Sequence, residues 1–317
     1  YRKKARLGRK EMERIENYAA VSLQDRLRLE DALGLTHKSG GAIRQIGVGT
    51  VEDAEAAAES VRREWGLGVG PIACVIDTLE DHHIHVVEVD ASDAFDGISA
   101  VAVAGRGRLV AGAVVIREGL PGERQRLDLT HELGHLVLDL SDDIDEEKAA
   151  FRFGAAMLAP AEAIRRDVGT RRRYVDLQEL LLLKRRYGMS VQALLYRLRD
   201  LRVITESQYK AACIQINRLG WRRQEPMELE PEKPTWLRQN VLRAVSEGVL
   251  STREGGQIMG EKLEQSPALS LIERRALMAM PAEERQRLLK EQAERLAQDY
   301  VSDPDWAAID GEDFIES

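Results

Sequence analysis

Cysteine is scarce in this sequence, with only two among 317 residues. Cys74 and Cys213 lie far apart, so they provide neither the disulfide framework of a small secreted domain nor the paired cysteines of a zinc ribbon. We therefore expect two free, buried thiols in a protein of the reducing cytoplasm.

Long apolar runs are absent as well. No run approaches the roughly 20 apolar residues that a membrane-spanning helix needs, and the first residues do not resemble a signal peptide. The formal net charge of −8 argues against a chain that mainly binds nucleic acid. We expect a cytoplasmic protein of about two domains that has no membrane partner and does not itself bind DNA.

The first half of the chain contains a β-rich passage. The range 72–79 is apolar, and the ranges 85–89, 98–103 and 109–116 are rich in β-branched residues and separated by glycine-containing turns. We interpret the passage as βαβ-like, forming a small sheet directly before residue 131.

The second half of the chain has a helical pattern. Amphipathic periodicity predicts short helices over 177–186, 191–201 and 207–219, and the Gly188-Met189-Ser190 joint is typical of a helix-turn-helix. Three prolines, Pro226, Pro231 and Pro234, then indicate a linker before further helices.

The short motif His131-Glu132-Leu133-Gly134-His135 carries the strongest chemical signal. Residues four apart lie on one face of a helix, so the two histidines can chelate one metal ion. Glu132 lies beside that face, where its carboxylate can act as a general base on water instead of binding the metal. An apolar, periodic context favours a buried helix here.

The third ligand of this predicted site must be something other than histidine, because none of the six histidines follows His135. A catalytic zinc site typically has three protein ligands and one open position. The carboxylates that follow are those of Asp139, Asp142, Asp143, Asp145, Glu146 and Glu147. A second helix from Asp145 would direct Glu147 inward, together with Ala150 and Gly154. We favour Glu147, and Glu146 remains the alternative.

Three further histidines and four arginines are interpreted as surface residues. His82, His83 and His85 are interpreted as solvent-facing residues of a turn and a strand. A second set of basic residues lies near the helix-turn-helix-like joint and comprises Arg185, Arg186, Arg197 and Arg199. We interpret these arginines as surface residues, although they also motivate a hypothesis of a DNA-binding regulator.

Several longer blocks resemble the ImmA/IrrE family of metallopeptidases. The blocks are Arg124–Leu138, Glu147–Pro160, Phe95–Ser99, Arg186–Leu194 and Gly220–Pro226, and the resemblance runs from about residue 50 to about residue 260. It implies His131, His135 and Glu147 as metal ligands and Glu132 as catalytic base, with Zn²⁺ as the metal and Mn²⁺ as the alternative. Phe151 and Gly154 depart from the family pattern, which usually has Asn and Ala there.

The family resemblance also implies an activity and a partner. Members are generally bacterial or phage cytoplasmic proteins, and several cleave a helix-turn-helix repressor in a response to stress or DNA damage. We therefore expect a zinc-dependent endopeptidase whose protein substrate is such a repressor. The basic start at Tyr1 looks like the segment that follows an N-terminal helix-turn-helix domain in longer members.

We predict an α+β fold in four segments. Range 1–47 is a helical or linker segment, and 48–165 is a zincin-like metallopeptidase core with a small sheet and the helix of the histidine motif. Range 166–225 is a helical, helix-turn-helix-like domain, and 226–317 is a helical extension with an acidic tail. Parts of 265–317 resemble bacterial antitoxins, so the alternative function is a regulatory protein that binds a toxin there and uses the peptidase fold as a scaffold.

Overall fold

The computed structural model describes residues 8–35, 44–104, 108–263, 279–281, 284–287 and 290. The chain forms two compact units, Tyr1–Gln239 and Asn240–Ser317. The predicted tail interaction of residues 265–317 falls almost wholly outside the described residues. The predicted segment boundaries at residues 47, 165 and 225 stay predictions.

Helices dominate the described residues of both units. The helices are α1 (Arg9–Ala32), α2 (Asp53–Glu64), α3 (Val75–Asp81), α4 (Gly122–Val137), α5 (Glu146–Leu158), α6 (Ala161–Val168), α7 (Leu177–Tyr187), α8 (Val191–Asp200), α9 (Glu206–Arg218), α10 (Trp236–Ser246) and α11 (Thr252–Met259). The strands are β1 (Ile46–Val48), β2 (Ile84–Val89), β3 (Gly97–Ala104), β4 (Arg108–Arg117) and β5 (Leu138–Leu140). The predicted mixed α+β character is therefore confirmed, whereas the zincin-like and helix-turn-helix-like assignments stay predictions.

Two small sheets support the first unit. In the larger sheet β4 is central, with β2 parallel on one side and β3 antiparallel on the other. The smaller sheet pairs β1 with β5 in parallel. The predicted strands before the histidine motif are confirmed, but the apolar range 72–79 is mainly the helix α3. Its apolar residues pack into the core from one face of a helix, among them Val75, Ile76 and Leu79.

The larger sheet is covered on one side by α1. Ile15 and Ala19 are buried in one apolar cluster with Val87, Val89 and Val115 of the sheet. The helical pattern expected near the start of the chain is thus confirmed, and its apolar face is buried against β2 and β4. In the second unit, Val241 and Val245 of α10 pack at Gly255 of α11.

The histidine motif lies on α4, which crosses α5 at very short distance. A Cβ atom on Gly134 would lie 3.1 Å from Ala150 Cα, and one on Gly154 would lie 2.9 Å from the backbone nitrogen of His131. Each glycine therefore lets the other helix's backbone approach to a distance that a side chain would prevent. Ala150 and Gly154, predicted to face inward, both lie at this crossing.

The helices α7, α8 and α9 form where the periodicity predicts them. Gly188 ends α7 in the left-handed region at φ 63°, and the Ser190 side chain accepts a hydrogen bond from the Ala193 N–H to begin α8. These caps explain the tight joint between α7 and α8. Cys74 and Cys213 are both free, as predicted, although they are only partly buried.

No helix in the described part of the chain has the length and apolarity needed to cross a membrane.

The interpretation of Arg197 as a surface residue is wrong. Its side chain is only 1% exposed and donates two hydrogen bonds to Glu55 of α2, at 2.6 and 2.5 Å. The Arg197 Nε also donates to the Ala159 carbonyl oxygen at 2.9 Å. Burial of a guanidinium is tolerated because a carboxylate and a carbonyl oxygen satisfy its donors.

The prolines near residue 230 do not mark a free linker. We define the strap as residues 225–235, which run along α4 and α7. Within the strap, Glu225 accepts hydrogen bonds from Lys184 Nζ at 3.0 Å and from the Val191 N–H at 2.9 Å. The prolines instead keep the strap from forming a helix, because each lacks a backbone N–H donor, its ring clashes with the preceding turn, and it disfavours the helical conformation of the residue before it.

His85 also differs from its interpretation as a solvent-facing residue. The residue is 1% exposed, and among the described residues no group hydrogen-bonds to either ring nitrogen. Burial, followed by the charges of Arg26 and His83, lowers the pKa of His85 to about 2. The ring is therefore held neutral inside the first unit, near the indole of Trp236 at 6.3 Å between ring centroids.

Replacement of Arg197 by methionine should destabilise the protein strongly. Glu55 would keep only its longer contact with Arg152 Nε at 3.6 Å, so the free energy of unfolding should fall by about 3 kcal/mol, typical of a broken buried ion pair. Urea denaturation would measure the change. The Arg185→Met variant, on the exposed side of α7, should stay within about 0.5 kcal/mol of wild type. Equal effects of the two substitutions would contradict the importance of the buried pair.

Replacement of His85 by leucine should reduce acid sensitivity. Because the folded-state pKa of His85 lies far below its unfolded value of 6.5, the unfolded state binds the extra proton below pH 6.5. In wild type, His85 should therefore lower the free energy of unfolding by about 1.4 kcal/mol for each pH unit below pH 6.5. Chemical denaturation from pH 7 to pH 4.5 should show a shallower loss for His85→Leu, and parallel profiles would refute the assignment.

Candidate metal centre

Two imidazole rings face each other on consecutive turns of α4. The Nε2 atoms of His131 and His135 are 3.1 Å apart, and the ring centroids are 4.7 Å apart. The helical spacing of four residues places both rings on one face, as the motif predicts. His131 is 7% exposed, so the pair lies at the edge of the core.

Glu147 of α5 completes the group. Its Oε2 lies 3.5 Å from His131 Nε2, and its Oε1 lies 3.8 Å from His135 Nε2. Zinc–nitrogen and zinc–oxygen bonds of about 2.1 Å would separate tetrahedral ligand atoms by roughly 3.4 Å, so these three residues suit the ion. They are also the only group of three or more metal-binding side chains found within the described residues.

Two other carboxylates that follow His135 do not face the Nε2 atoms of the histidines. Asp145 caps α5 by accepting a hydrogen bond from the Lys148 N–H at 3.1 Å. Glu146 contacts the opposite side of His135, where its Oε1 lies 2.9 Å from Nδ1. The structure thus brings Glu147, and not Glu146, to the two Nε2 atoms. The choice of third ligand remains a prediction, now with supporting geometry.

Burial of His131 favours the form of imidazole that binds metals. Burial, with a smaller contribution from neighbouring His135, lowers the pKa of His131 to about 3. The ring is therefore neutral at physiological pH, and its Nε2 lone pair is available to a cation. The Phe151 ring packs on it at 4.1 Å between centroids while remaining 45% exposed. Phe151 thus covers one face of the His131 ring while it stays accessible to solvent itself.

Glu132 lies on the side of α4 that faces β3. It is 8% exposed, and a Cβ atom on Gly97 would lie only 3.0 Å from its Oε1. Gly97, the first residue of β3, therefore leaves the space that the Glu132 carboxylate occupies. The sequence interpretation missed this role, although Gly97 belongs to the Phe95–Ser99 block on which the family resemblance partly rests.

A polar network holds the first half of α4 and was also missed. Arg126 forms an ion pair with Glu232 of the strap and donates to the Ile72 carbonyl oxygen at 2.7 Å. Glu232 accepts hydrogen bonds from the N–H groups of Val75 and Ile76 at 2.7 and 2.8 Å, at the first turn of α3. The network joins α4, α3 and the strap, so it fixes the helix that carries both histidines.

The strap also pairs with α4 through backbone groups. The Glu232 N–H donates to Gln125 Oε1 at 2.7 Å, and Gln125 Nε2 donates to the Glu232 carbonyl oxygen at 2.8 Å. The Gly122 N–H donates to the Leu229 carbonyl oxygen at 2.8 Å. In the sequence, only the glutamates of the strap hint at these contacts between the strap and α4. Their partners cannot be assigned without the fold.

We expect the chain to bind one Zn²⁺ through His131, His135 and Glu147. Replacing Glu147 by alanine should weaken Zn²⁺ affinity by more than about 100-fold, beyond the 10–100-fold typical of a lost outer hydrogen-bond partner. Competition with a chromogenic chelator would measure the affinity, and elemental analysis would give the stoichiometry. Asp143→Ala removes an exposed carboxylate of the loop that precedes α5 and should leave affinity unchanged. Equal loss in both variants would exclude Glu147 as a specific ligand.

Comparisons with known proteins locate a family match on this part of the chain. Residues 80–199 match the family model Peptidase_M78, described as the IrrE N-terminal-like domain. A search of curated proteins finds no match. Among solved structures, a Mycobacterium tuberculosis transcriptional regulator is similar at 16% identity and a TM-score of 0.33, covering 50% of this chain and 49% of that chain. The chain thus spans about half the length of that structure.

Proposed function

Since residues 80–199 form a domain of the ImmA/IrrE family, we propose that the protein is a zinc-dependent endopeptidase that cleaves a regulatory protein. The observation that carries the proposal is the convergence of His131, His135 and Glu147, with the buried Glu132 on the same helix as the two histidines. The family match contains all four residues, and it supports a peptidase or regulatory role without naming a substrate.

The proposed chemistry assigns distinct tasks to the residues of the centre. A Zn²⁺ ion held by His131, His135 and Glu147 would polarise the scissile carbonyl and lower the pKa of water towards neutrality. Glu132 accepts a proton from the attacking water and delivers it to the leaving amine. The contact of Glu132 with Gly97 supports this role, since it holds the carboxylate on the β3 side of the helix.

The position of β3 supports a polypeptide substrate. Among the described residues β3 pairs only with β4, so its other edge offers unpaired backbone groups next to Glu132. An extended peptide can pair with such an edge and so bring a peptide bond to the centre. The proposal that this peptide belongs to a helix-turn-helix repressor, cleaved in a stress or DNA-damage response, rests on the family resemblance alone. The proposals that the protein is cytoplasmic and that it prefers Zn²⁺ over Mn²⁺ also rest on the family resemblance alone.

Replacement of Glu132 by glutamine should abolish cleavage and preserve metal binding. Glutamine has nearly the same shape but cannot accept the proton, so the cleavage rate should fall by about 100-fold or more. Co-expression with candidate repressors, followed by gel analysis of their fragments, would measure cleavage. Elemental analysis of the purified variant would measure zinc.

The control for this experiment is Asp143→Asn, a similar change on the exposed loop after β5. It should cleave at the wild-type rate. If Glu132→Gln also cleaves at the wild-type rate, Glu132 is not the base. If wild type carries no zinc and cleaves none of the candidates, the peptidase proposal fails.

The alternative function, neutralisation of a toxin, depends on residues 265–317. Almost all of this range lies outside the described residues, so the alternative stays a prediction from sequence. Truncation after Leu263 separates the two functions, because it should abolish toxin binding in the alternative and leave proteolysis intact. The hypothesis of DNA binding loses one of its four arginines, since Arg197 is buried against Glu55.

A further inference from the structure

Two consecutive carboxylates contact opposite sides of the same imidazole. Glu147 Oε1 lies 3.8 Å from His135 Nε2, on the side of the metal centre. Glu146 Oε1 lies 2.9 Å from His135 Nδ1, on the outer side. Sequence analysis treated these residues as competitors for one role, whereas the geometry gives each its own position.

We propose that Glu146 is a positioning residue for His135. This inference rests on the proposed metal centre and assigns Glu146 the task of orienting one of its ligands. A carboxylate at hydrogen-bond distance from Nδ1 holds the ring proton on that nitrogen, which leaves the Nε2 lone pair directed at the centre. The hydrogen bond also limits rotation of the ring, so less conformational entropy is lost when the metal binds.

The start of α5 explains why the two carboxylates diverge. Asp145 caps the helix through the Lys148 N–H, so Glu146 and Glu147 both belong to its first turn. Consecutive helical residues point about 100° apart, which sends one side chain to each side of His135. Negative charge is favourable at this helix end, so two adjacent carboxylates cost less here than elsewhere.

The other histidine is held in a different way. Within the described part of the chain, no group hydrogen-bonds to His131 Nδ1. Its ring is fixed by burial and by the Phe151 ring, and its backbone is fixed by the approach of Gly154. Orientation by an outer carboxylate is therefore specific to His135, and removal of Glu146 should affect one ligand only.

The test compares the variants Glu146→Ala, Glu146→Gln and Glu147→Gln of the full chain with wild type. Zn²⁺ affinity is measured by chelator competition, and thermal unfolding is measured on the metal-free proteins. Glu146→Ala should weaken Zn²⁺ binding by about 10–100-fold, the range for lost outer partners of a ligating histidine. Glu146→Gln retains an oxygen acceptor and should recover most of the affinity. Glu147→Gln should lose more than Glu146→Ala.

A purely structural role of Glu146 at the helix start predicts a different pattern. The alanine and glutamine variants would then lose affinity equally, and both metal-free proteins would unfold at lower temperature. That result would overturn the inference, as would unchanged affinity in Glu146→Ala. A loss in Glu146→Gln as large as in Glu147→Gln would identify Glu146 as a ligand and overturn it as well.

The same measurements separate this inference from the proposed function. If wild type binds Zn²⁺ and only the Glu146 variants fail to behave as expected, the metal centre stands and the positioning role is wrong. If wild type binds no Zn²⁺, the proposed function fails and the positioning role fails with it.

Discussion

The close crossing of α4 and α5 is the constraint on which the candidate site depends. Gly134 meets Ala150, and Gly154 meets the backbone at His131, so the two helices approach where any larger side chain would separate them. Because of this contact, a carboxylate on α5 reaches both imidazoles on α4. Larger side chains at these two glycines would push the helices apart and move Glu147 away from the histidines.

Buried polar contacts elsewhere in the first unit hold the elements around the crossing of α4 and α5 in place. The strap ties the first half of α4 through Arg126 and Glu232, and Glu232 also caps α3. Arg197 joins α8 to α2 through Glu55. These charges are stabilising only when all partners are present, because an unpaired buried charge is costly. The geometry of the centre therefore depends on residues that take no part in its proposed chemistry.

Local pattern predicted much of the fold and part of the site. Strand alternation and helical periodicity located β3, β4 and most of the helices, since burial of one face imposes a period on the sequence. The same logic placed the two histidines together. Local pattern did not predict the burial of His85 and Arg197, because the residues that surround them come from distant segments. A polar side chain carries no local sign of the burial that its tertiary neighbours impose.

The sequence by itself determined that His131 and His135 share a helix face, with Glu132 beside them and two candidate carboxylates on the next helix. The sequence is sufficient for this because the face of a helix on which a residue lies depends only on its position along the chain. The tertiary structure alone decided that Glu147 faces both Nε2 atoms, that Glu146 contacts Nδ1 of His135 and that Gly97 makes room for Glu132. These outcomes depend on how closely separate elements approach and how they are rotated, which the packing of the whole core sets.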